Sequence, residues 1–535
     1  MSRLAPPTAI AFHSVEPPFS NFQFVDDHFG GGVAIRRLFS LARAQSREFK
    51  TLVVEDIPAA GVVADENAEL AKLYSDYQFG GLKRISFWRP KIADEAALAA
   101  VDAKECVGWA IVKRDQATIP HRPAVGRSPD RPAKKIDRWH VFESVTIKYG
   151  HHHNYAPGAP AFPVQIGHRD APLTLRGWLF CQQNVLNKCC AHVAIRTLAT
   201  AFLNNPDLPF SRINSLIPAS SDHLPDWLPG DGLFPPQIEA VLKQLSIPFD
   251  SVYYPERPER EDARRKRPFQ RYLYSGVEAG AGAMLAFTLD GPKASGGHII
   301  PVFGHTFNED TWAPRGEGAY FRVGERITYI PSESWTSSFL AHDDNFGSDF
   351  CLPKRCIKRR HASYVVALRP EGYAYGGIDA EAVGSQLFYS LPLGLFHTGN
   401  CWLKRLVHFV RSQELILRTV PISKTDYEKE LRAMCDWERK TEKSDTVDTL
   451  VSLMREKMWM VEVSVPDLFS TNLRKLGELL LTAETPLSPT TPHQAFVVAR
   501  FPGNYVLLTG QDAGGQPQFS TVPSAIGSHT KLFRA

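Results

Sequence analysis

No uninterrupted apolar stretch in this 535-residue chain reaches the roughly 20 residues that a membrane-spanning helix needs. The opening residues, MSRLAPPTAIAFHSVEPPF, have no charged start followed by a long apolar block, so a secretory signal is not expected there. Cysteine is sparse. Eight thiols in a chain of this size do not form a dense disulfide framework, and a reduced, cytoplasmic setting is the expectation. Excess charge is also small, and +4 over this length does not by itself call for a nucleic-acid partner. No internal repeat and no sustained heptad pattern occur, which argues against solenoids and coiled coils.

Metal-binding patterns are missing as well. Cys351 and Cys356 have no matching second pair at zinc spacing. His151, His152 and His153 would alternate faces on an extended chain, which leaves at most two pointing one way. Neither a metal nor a cofactor is expected. The run Gly30-Gly31-Gly32 precedes a helical pattern but lacks dinucleotide-binding spacing. Residues 255–271, PERPEREDARRKRPFQR, mix acids with Arg264-Arg265-Lys266-Arg267 and read as a solvated insertion rather than a phosphate site.

What the chain does have is the composition of a folded protein: 22% charged and 43% hydrophobic residues leave little room for large-scale disorder. Its length exceeds what one core usually holds, so several domains are expected. Residues 1–136 read as an α/β domain of unknown role, with helices at Val33–Ala44 and Glu66–Tyr77. Strands are expected there at Thr51–Asp56, Gly81–Trp88 and Val107–Val112. A Pro-rich basic segment at 121–135 reads as a loop or linker. Residues 137–350 would form an α+β domain, a helix packed on an antiparallel sheet. Its strands are expected at Val141–Ile147, Met284–Leu289, His298–Phe303 and Thr336–His342, with a helix at Pro236–Leu245 after the turn Gly230-Asp231-Gly232. Residues 351–535 would form a further α/β domain for substrate or partner binding. Strands are expected there at Ser363–Leu368, Leu415–Val420, Trp459–Val465 and Ala495–Arg500, and helices at Asp426–Trp437 and Thr471–Leu481.

The most telling segment is Cys189-Cys190-Ala191-His192-Val193-Ala194, seven and eight residues after Gln182-Gln183. A helix N-terminus offers unpaired N–H groups and partial positive charge, which favour a thiolate. Ala191, Ala194, Leu198 and Ala201 would make a buried stripe and leave the first turn at a cleft. Cys190 is the preferred nucleophile because small Ala191 lets a carbonyl approach, and Cys189 is the alternative. Gln183 would donate to the developing oxyanion, with Gln182 as alternate. The base is expected at His298, in Gly297-His298-Ile299-Ile300-Pro301-Val302, with His305 and His342 as rivals. An orienting group is required next, and Asp343 in His342-Asp343-Asp344-Asn345-Phe346-Gly347 fits it. Asp344, Asn308 and Asp310 remain open alternatives.

Gln-x6-Cys at a helix start, then Gly-His on a strand, then Asp-x3-Gly after another strand, resembles the papain-like cysteine peptidases. The closest flavour is that of the bacteriocin-processing peptidases. The likeness covers residues ~175 to 350. It implies a papain-like core in which Gln183, Cys190, His298 and Asp343 act as oxyanion donor, nucleophile, base and orienter. The expected activity is that of a cysteine peptidase or related amide or acyl hydrolase, acting on a polypeptide or other acyl substrate. The alternative is a papain-like scaffold that binds partners without catalysis. The oligomeric state stays open.

Overall fold

Long runs of alternating or wholly apolar residues make this a strand-rich α+β chain, and the computed structural model has that character. It describes residues 2–45, 49–119, 134–147, 154–184, 186–187, 189–204, 208–218, 232–254, 268–288, 297–307, 329–356, 361–395, 408, 415–438, 442–488, 491–501, 503–511, 513, 515, 517–523 and 530–534. The sequence readings at 121–133, His151 to His153, Gly230-Asp231, 255–267, Asn308 and Asp310 lie outside the described residues. The chain divides into two compact units. The first holds 1–247, 286–303 and 340–352, and the second holds 248–285, 304–339 and 353–535.

The first unit opens with β1 (Ala9–Ser14), α1 (Asn21–Phe29), α2 (Val33–Gln45), β2 (Thr51–Asp56) and α3 (Val62–Leu73). It continues with β3 (Gln78–Trp88), α4 (Glu95–Ala100), β4 (Cys106–Ile119) and β5 (Lys134–Thr146). The five strands form an antiparallel meander in sequence order. Strand β5 thus begins before position 136 and pairs along its length with β4. One face of the meander packs under α1 and α2 through Phe29, Leu38, Phe39, Ile85 and Val112. The other face buries Val53, Trp88, Trp109, Ile111 and Val145 with Val193. The triple glycine ends α1. Gly30, at φ 65°, donates to Asp26 O, and Gly31 donates to Val25 O, a left-handed helix stop that glycine adopts without strain.

After the short strands β6 (Asn154–Tyr155), β7 (Ala161–Val164) and β8 (Leu173–Arg176) come α5 (Cys190–Leu203), α6 (Phe210–Ser215) and α7 (Pro235–Gln244). Helix α5 corrects one expectation. Instead of one buried stripe, every residue from Ala191 to Thr200 is buried, polar ones included, while Ala201 is only half-buried. Its charged and ring groups are buried there with partners. Arg196 meets Glu143 of β5 at 2.7 Å, Arg3 meets the same carboxylate at 2.7 Å, and His192 meets Asn214 at 2.7 Å.

Next come β9 (Phe249–Tyr253), α8 (Phe269–Glu278), β10 (Ala283–Thr288), β11 (Gly297–Thr306), β12 (Ile330–Pro331), β13 (Ser338–Asp343), β14 (Gly347–Pro353) and β15 (Ala362–Leu368). In the first unit β14, β13, β11 and β10 are neighbours in that order, and in the second β10, β15 and β9 are. The rest of the second unit comprises α9 (Gly377–Leu395), β16 (Ile416–Ser423), α10 (Lys424–Glu438), α11 (Glu442–Leu453), β17 (Lys457–Ser464), α12 (Pro466–Asn472), β18 (Arg474–Lys475), β19 (Gly477–Thr482), β20 (Phe496–Phe501), β21 (Asn504–Gln511) and β22 (Pro517–Pro523). Its seven-stranded sheet runs β12-β16-β17-β19-β20-β21-β22, antiparallel except at β12–β16. Alternation sorts its side chains. Leu417, Trp459, Val461, Leu479 and Leu481 pack with Ala380, Val383 and Leu387 of α9. Met458, Met460 and Leu480 pack with Tyr427, Leu431, Val447 and Leu450 of α10 and α11. The helix expected at Thr471–Leu481 is not there. Helix α12 ends at Asn472, and β19 takes the leucine run between β17 and β20.

Candidate active site

The loop that delivers the cysteines is tied down before the helix begins. Gln182 donates its backbone N–H to Val141 O at 2.9 Å and accepts the Val141 N–H on Oε1 at 3.0 Å, which splices it onto β5. Buried Asn184 donates to Glu66 of α3 at 2.7 Å and accepts the Asn187 N–H at 3.0 Å. The Tyr74 hydroxyl, from just beyond α3, reaches Leu186 O and Asn187 Oδ1, both at 2.7 Å. The N-terminal elements therefore anchor the approach to α5.

The two adjacent thiols have opposite surroundings. Cys189 precedes the helix, is 3% exposed, and accepts the Val193 N–H on its carbonyl. Burial first, then the charges of Asp344 and Glu66, raise its thiol well above the ordinary value. Cys190 is the first helical residue, is only half-buried, and sits close enough to the His298 ring to help raise it. Of the two, Cys190 is the one brought to a base.

His298 stands at the start of β11, its ring edge-on to Phe287 of β10 at 5.5 Å. Its Nε2 lies 3.5 Å from Asp343 Oδ1 and 3.3 Å from Asp344 Oδ1. Burial disfavours a charged ring. The Asp343 carboxylate, the neighbouring Cys190 thiol and the charge of Asp344 outweigh it and push His298 up to about 10. The other two histidines considered as bases are engaged elsewhere. His305 is buried on Glu278 at 3.0 Å. His342 accepts the Asp349 N–H on Nδ1 and packs against Phe180 and Phe303, and burial holds it down to about 3.

Both carboxylates come from the β13–β14 turn. Asp343 Oδ1 accepts the N–H groups of Asn345 and Phe346 at 2.9 and 3.3 Å. Burial opposes ionisation of Asp343, but the His298 bond and charge and these N–H groups together hold its carboxyl below the usual range. Asp344 is 2% exposed, and burial, reinforced by Asp343, pushes it up to about 7 against the pull of His298. Asp344 is slightly nearer the ring but more deeply buried, and Asp343 is the ionised partner at neutral pH because His298 and then the backbone donors stabilise its charge. Gly347, at φ 123°, closes the turn where a Cβ would sit 2.9 Å from the Arg37 side chain. Arg37 of α2 donates to Ser348 O and Asp349 O and lies 3.7 Å over the Phe350 ring, holding β14 in place.

Gln183 is half-buried and donates from Nε2 to Asn345 Oδ1 at 2.5 Å. The structure thus gathers Gln183, Cys190, His298, Asp343 and Asp344 in the first unit. Asn345 is the residue that sequence reasoning passed over. Its carboxamide, two positions after Asp343, was the available signal. His298, Asp343 and Asp344 bring donor atoms within 4.8 Å of one another, a spacing open to a cation. The same atoms are the ring-to-carboxylate contacts, which account for the cluster without one. Cys351 and Cys356 are exposed free thiols.

No protein-family model matches the chain, and no curated protein matches it either.

Proposed function

We propose that the chain is a thiol hydrolase built on a papain-like core, a cysteine peptidase or a related amide or acyl hydrolase. One observation carries the reading: a half-buried thiol at the first residue of a helix lies beside an imidazole whose Nε2 faces an ionised carboxylate. In this reading the pair reacts as thiolate and imidazolium. Sulfur attacks the acyl carbon, and the oxygen takes the negative charge under the Gln183 amide and the Cys190 N–H. His298 gives its proton to the leaving amine as the carbon–nitrogen bond breaks, which leaves a thioester on Cys190. Water then adds, His298 takes its proton, and the carboxylic acid departs with the thiol restored. Asp343 keeps the ring in one tautomer throughout. The substrate is a polypeptide or another amide or acyl compound.

Alkylation by iodoacetamide, followed by peptide mass mapping, tests this without a known substrate. Cys190 is expected to label at about pH 6 nearly as fast as at about pH 8, and His298→Ala to slow the acid-side rate by roughly tenfold or more. Labelling of Cys190 that stays slow at about pH 6 and rises only above about pH 8 would leave an ordinary thiol and a non-catalytic scaffold.

A further inference from the structure

The exposed side chain of Asn345 reaches three members of the proposed site at once. Its Oδ1 is 2.5 Å from Gln183 Nε2, and its Nδ2 is 3.4 Å from His298 Nε2 and 3.5 Å from Asp344 Oδ1. No step of the proposed reaction uses it. The contact with His298 has the wrong polarity as placed. Nε2 lies 3.3 and 3.5 Å from two carboxylate oxygens, which calls for a hydrogen on that nitrogen. An amide NH2 against a ring N–H sets donor to donor. The two ends of a carboxamide are alike in shape, and hydrogen bonding decides which is which. With Asn345 turned over, Oδ1 accepts from Nε2–H and Nδ2 faces Gln183, and the 3.5 Å contact from Nδ2 to Asp344 Oδ1 is given up in exchange. Gln183 then turns over as well, so that Oε1 accepts. Its Nε2 is released from Asn345 with both hydrogens available to an incoming carbonyl oxygen.

We infer that Asn345 is a positioning residue that ties the oxyanion donor to the base, accepting from His298 Nε2–H and donating to Gln183 Oε1. The inference rests on the thiol-hydrolase reading and adds to it one group that orients both Gln183 and His298 before substrate arrives. An acceptor on Nε2–H favours the imidazolium, and the imidazolium favours the thiolate beside it. The titratable groups facing His298 are Cys190 from α5 and Asp343 and Asp344 from the turn, with Cys189 behind Asp344. Phe287 of β10 adds a ring edge without charge. Substitution at Asn345 leaves all of these in place.

The test is the iodoacetamide rate at Cys190 of the full chain at about pH 6, with circular dichroism melts to show that each variant folds. Asn345→Ala is expected to slow labelling roughly 3- to 10-fold, the loss of one solvent-exposed hydrogen bond. Asn345→Asp keeps the acceptor and is expected to restore the rate. Gln183→Ala gives part of the same loss, and the double variant is no slower than Asn345→Ala alone. An unchanged or faster rate in Asn345→Ala, while His298→Ala abolishes acid-side labelling, overturns the inference and leaves the hydrolase reading standing. So does an aspartate variant no better than alanine. A wild-type profile no different from that of His298→Ala overturns both.

Discussion

Asp343 and Asp344 are neighbours on one turn, lie at nearly the same distance from one imidazole nitrogen, and differ in charge state. Two backbone N–H groups solvate the first, whereas Oδ2 of the second is buried with no hydrogen-bond partner. That difference has a stability consequence with a definite sign. The Asp344 carboxyl is raised from its ordinary 3.8 to about 7. Its contribution is therefore fully present below about 4 and is lost as pH rises through about 7. Asp344→Asn cannot ionise and escapes that loss. It is expected to be more stable than the wild type by roughly 1–3 kcal/mol at about pH 8.5, with the difference shrinking towards zero at about pH 4. Urea melts at the two pH values check this. An equal difference at both would mean that Asp344 does not titrate in the folded protein. At this scale the site was legible where chemistry demands residue types in chain order, as for Cys190, His298 and Asp343. Gln183 and Gln182 differ in the sequence only by spacing, and their separate fates depend on β5, whose register no local pattern reveals. Asn345 was hidden for a related reason: a turn residue at a hairpin tip looks the same in sequence whether it faces solvent or a catalytic ring.

Among the elements, β2 matches its expected bounds because a short apolar, β-branched run with turn signals on both sides admits few readings. The segment after Asn472 misled because three leucines preceded by lysine and glutamate satisfy helical spacing as well as they fill a strand buried on both faces. Position 477 decides between the two. A Cβ there would come within 2.4 Å of the Phe501 ring and 2.5 Å of Arg500 O, a close approach made only when β20 lies alongside. The next residue carries the other cost of burying this strand. Glu478 is fully buried and is met by Arg500 at 2.7 Å, Lys475 at 2.8 Å and the Tyr427 hydroxyl at 2.6 Å. Burial opposes its charge, but Arg500 and Lys475 win and hold it down to about 2. With the folded value depressed from 4.5, this contribution is present above about 4.5 and is lost as pH falls through about 2. Glu478→Gln leaves two buried cations short of a partner and is expected to cost about 3–5 kcal/mol at neutral pH. The deficit should narrow near pH 2 (roughly), where the wild type also loses the charge. Denaturant melts at neutral and acid pH measure both numbers, and a neutral-pH cost below about 1 kcal/mol would refute the pairing.

For the molecule as a whole, the decisive fact is how the chain threads its two units. The second unit takes residues 248–285 and 304–339 from the middle of the sequence and completes them only after Leu352. Composition carries no trace of such interleaving, which is why a cut near residue 350 looked natural from the sequence. A fragment ending at Leu352 tests the point. In it β9 loses its antiparallel partner β15, from Tyr253↔Tyr364 to Phe249↔Leu368. Helix α8, with eight of its ten residues buried, loses β15, α9 and β16 as cover. Two buried charges on it are stranded as well: Glu278 without Arg418, and Arg271 without Glu381. Each broken pair costs about 3–5 kcal/mol, against a total stability of roughly 5–15 kcal/mol for a domain. The fragment is therefore expected to be poorly soluble, to bind a hydrophobic dye and to melt without a cooperative transition, although it contains every residue of the proposed site. A soluble 1–352 fragment with a sharp melt and acid-side labelling of Cys190 would show that residues 248–285 and 304–339 fold without the support of residues 353–535.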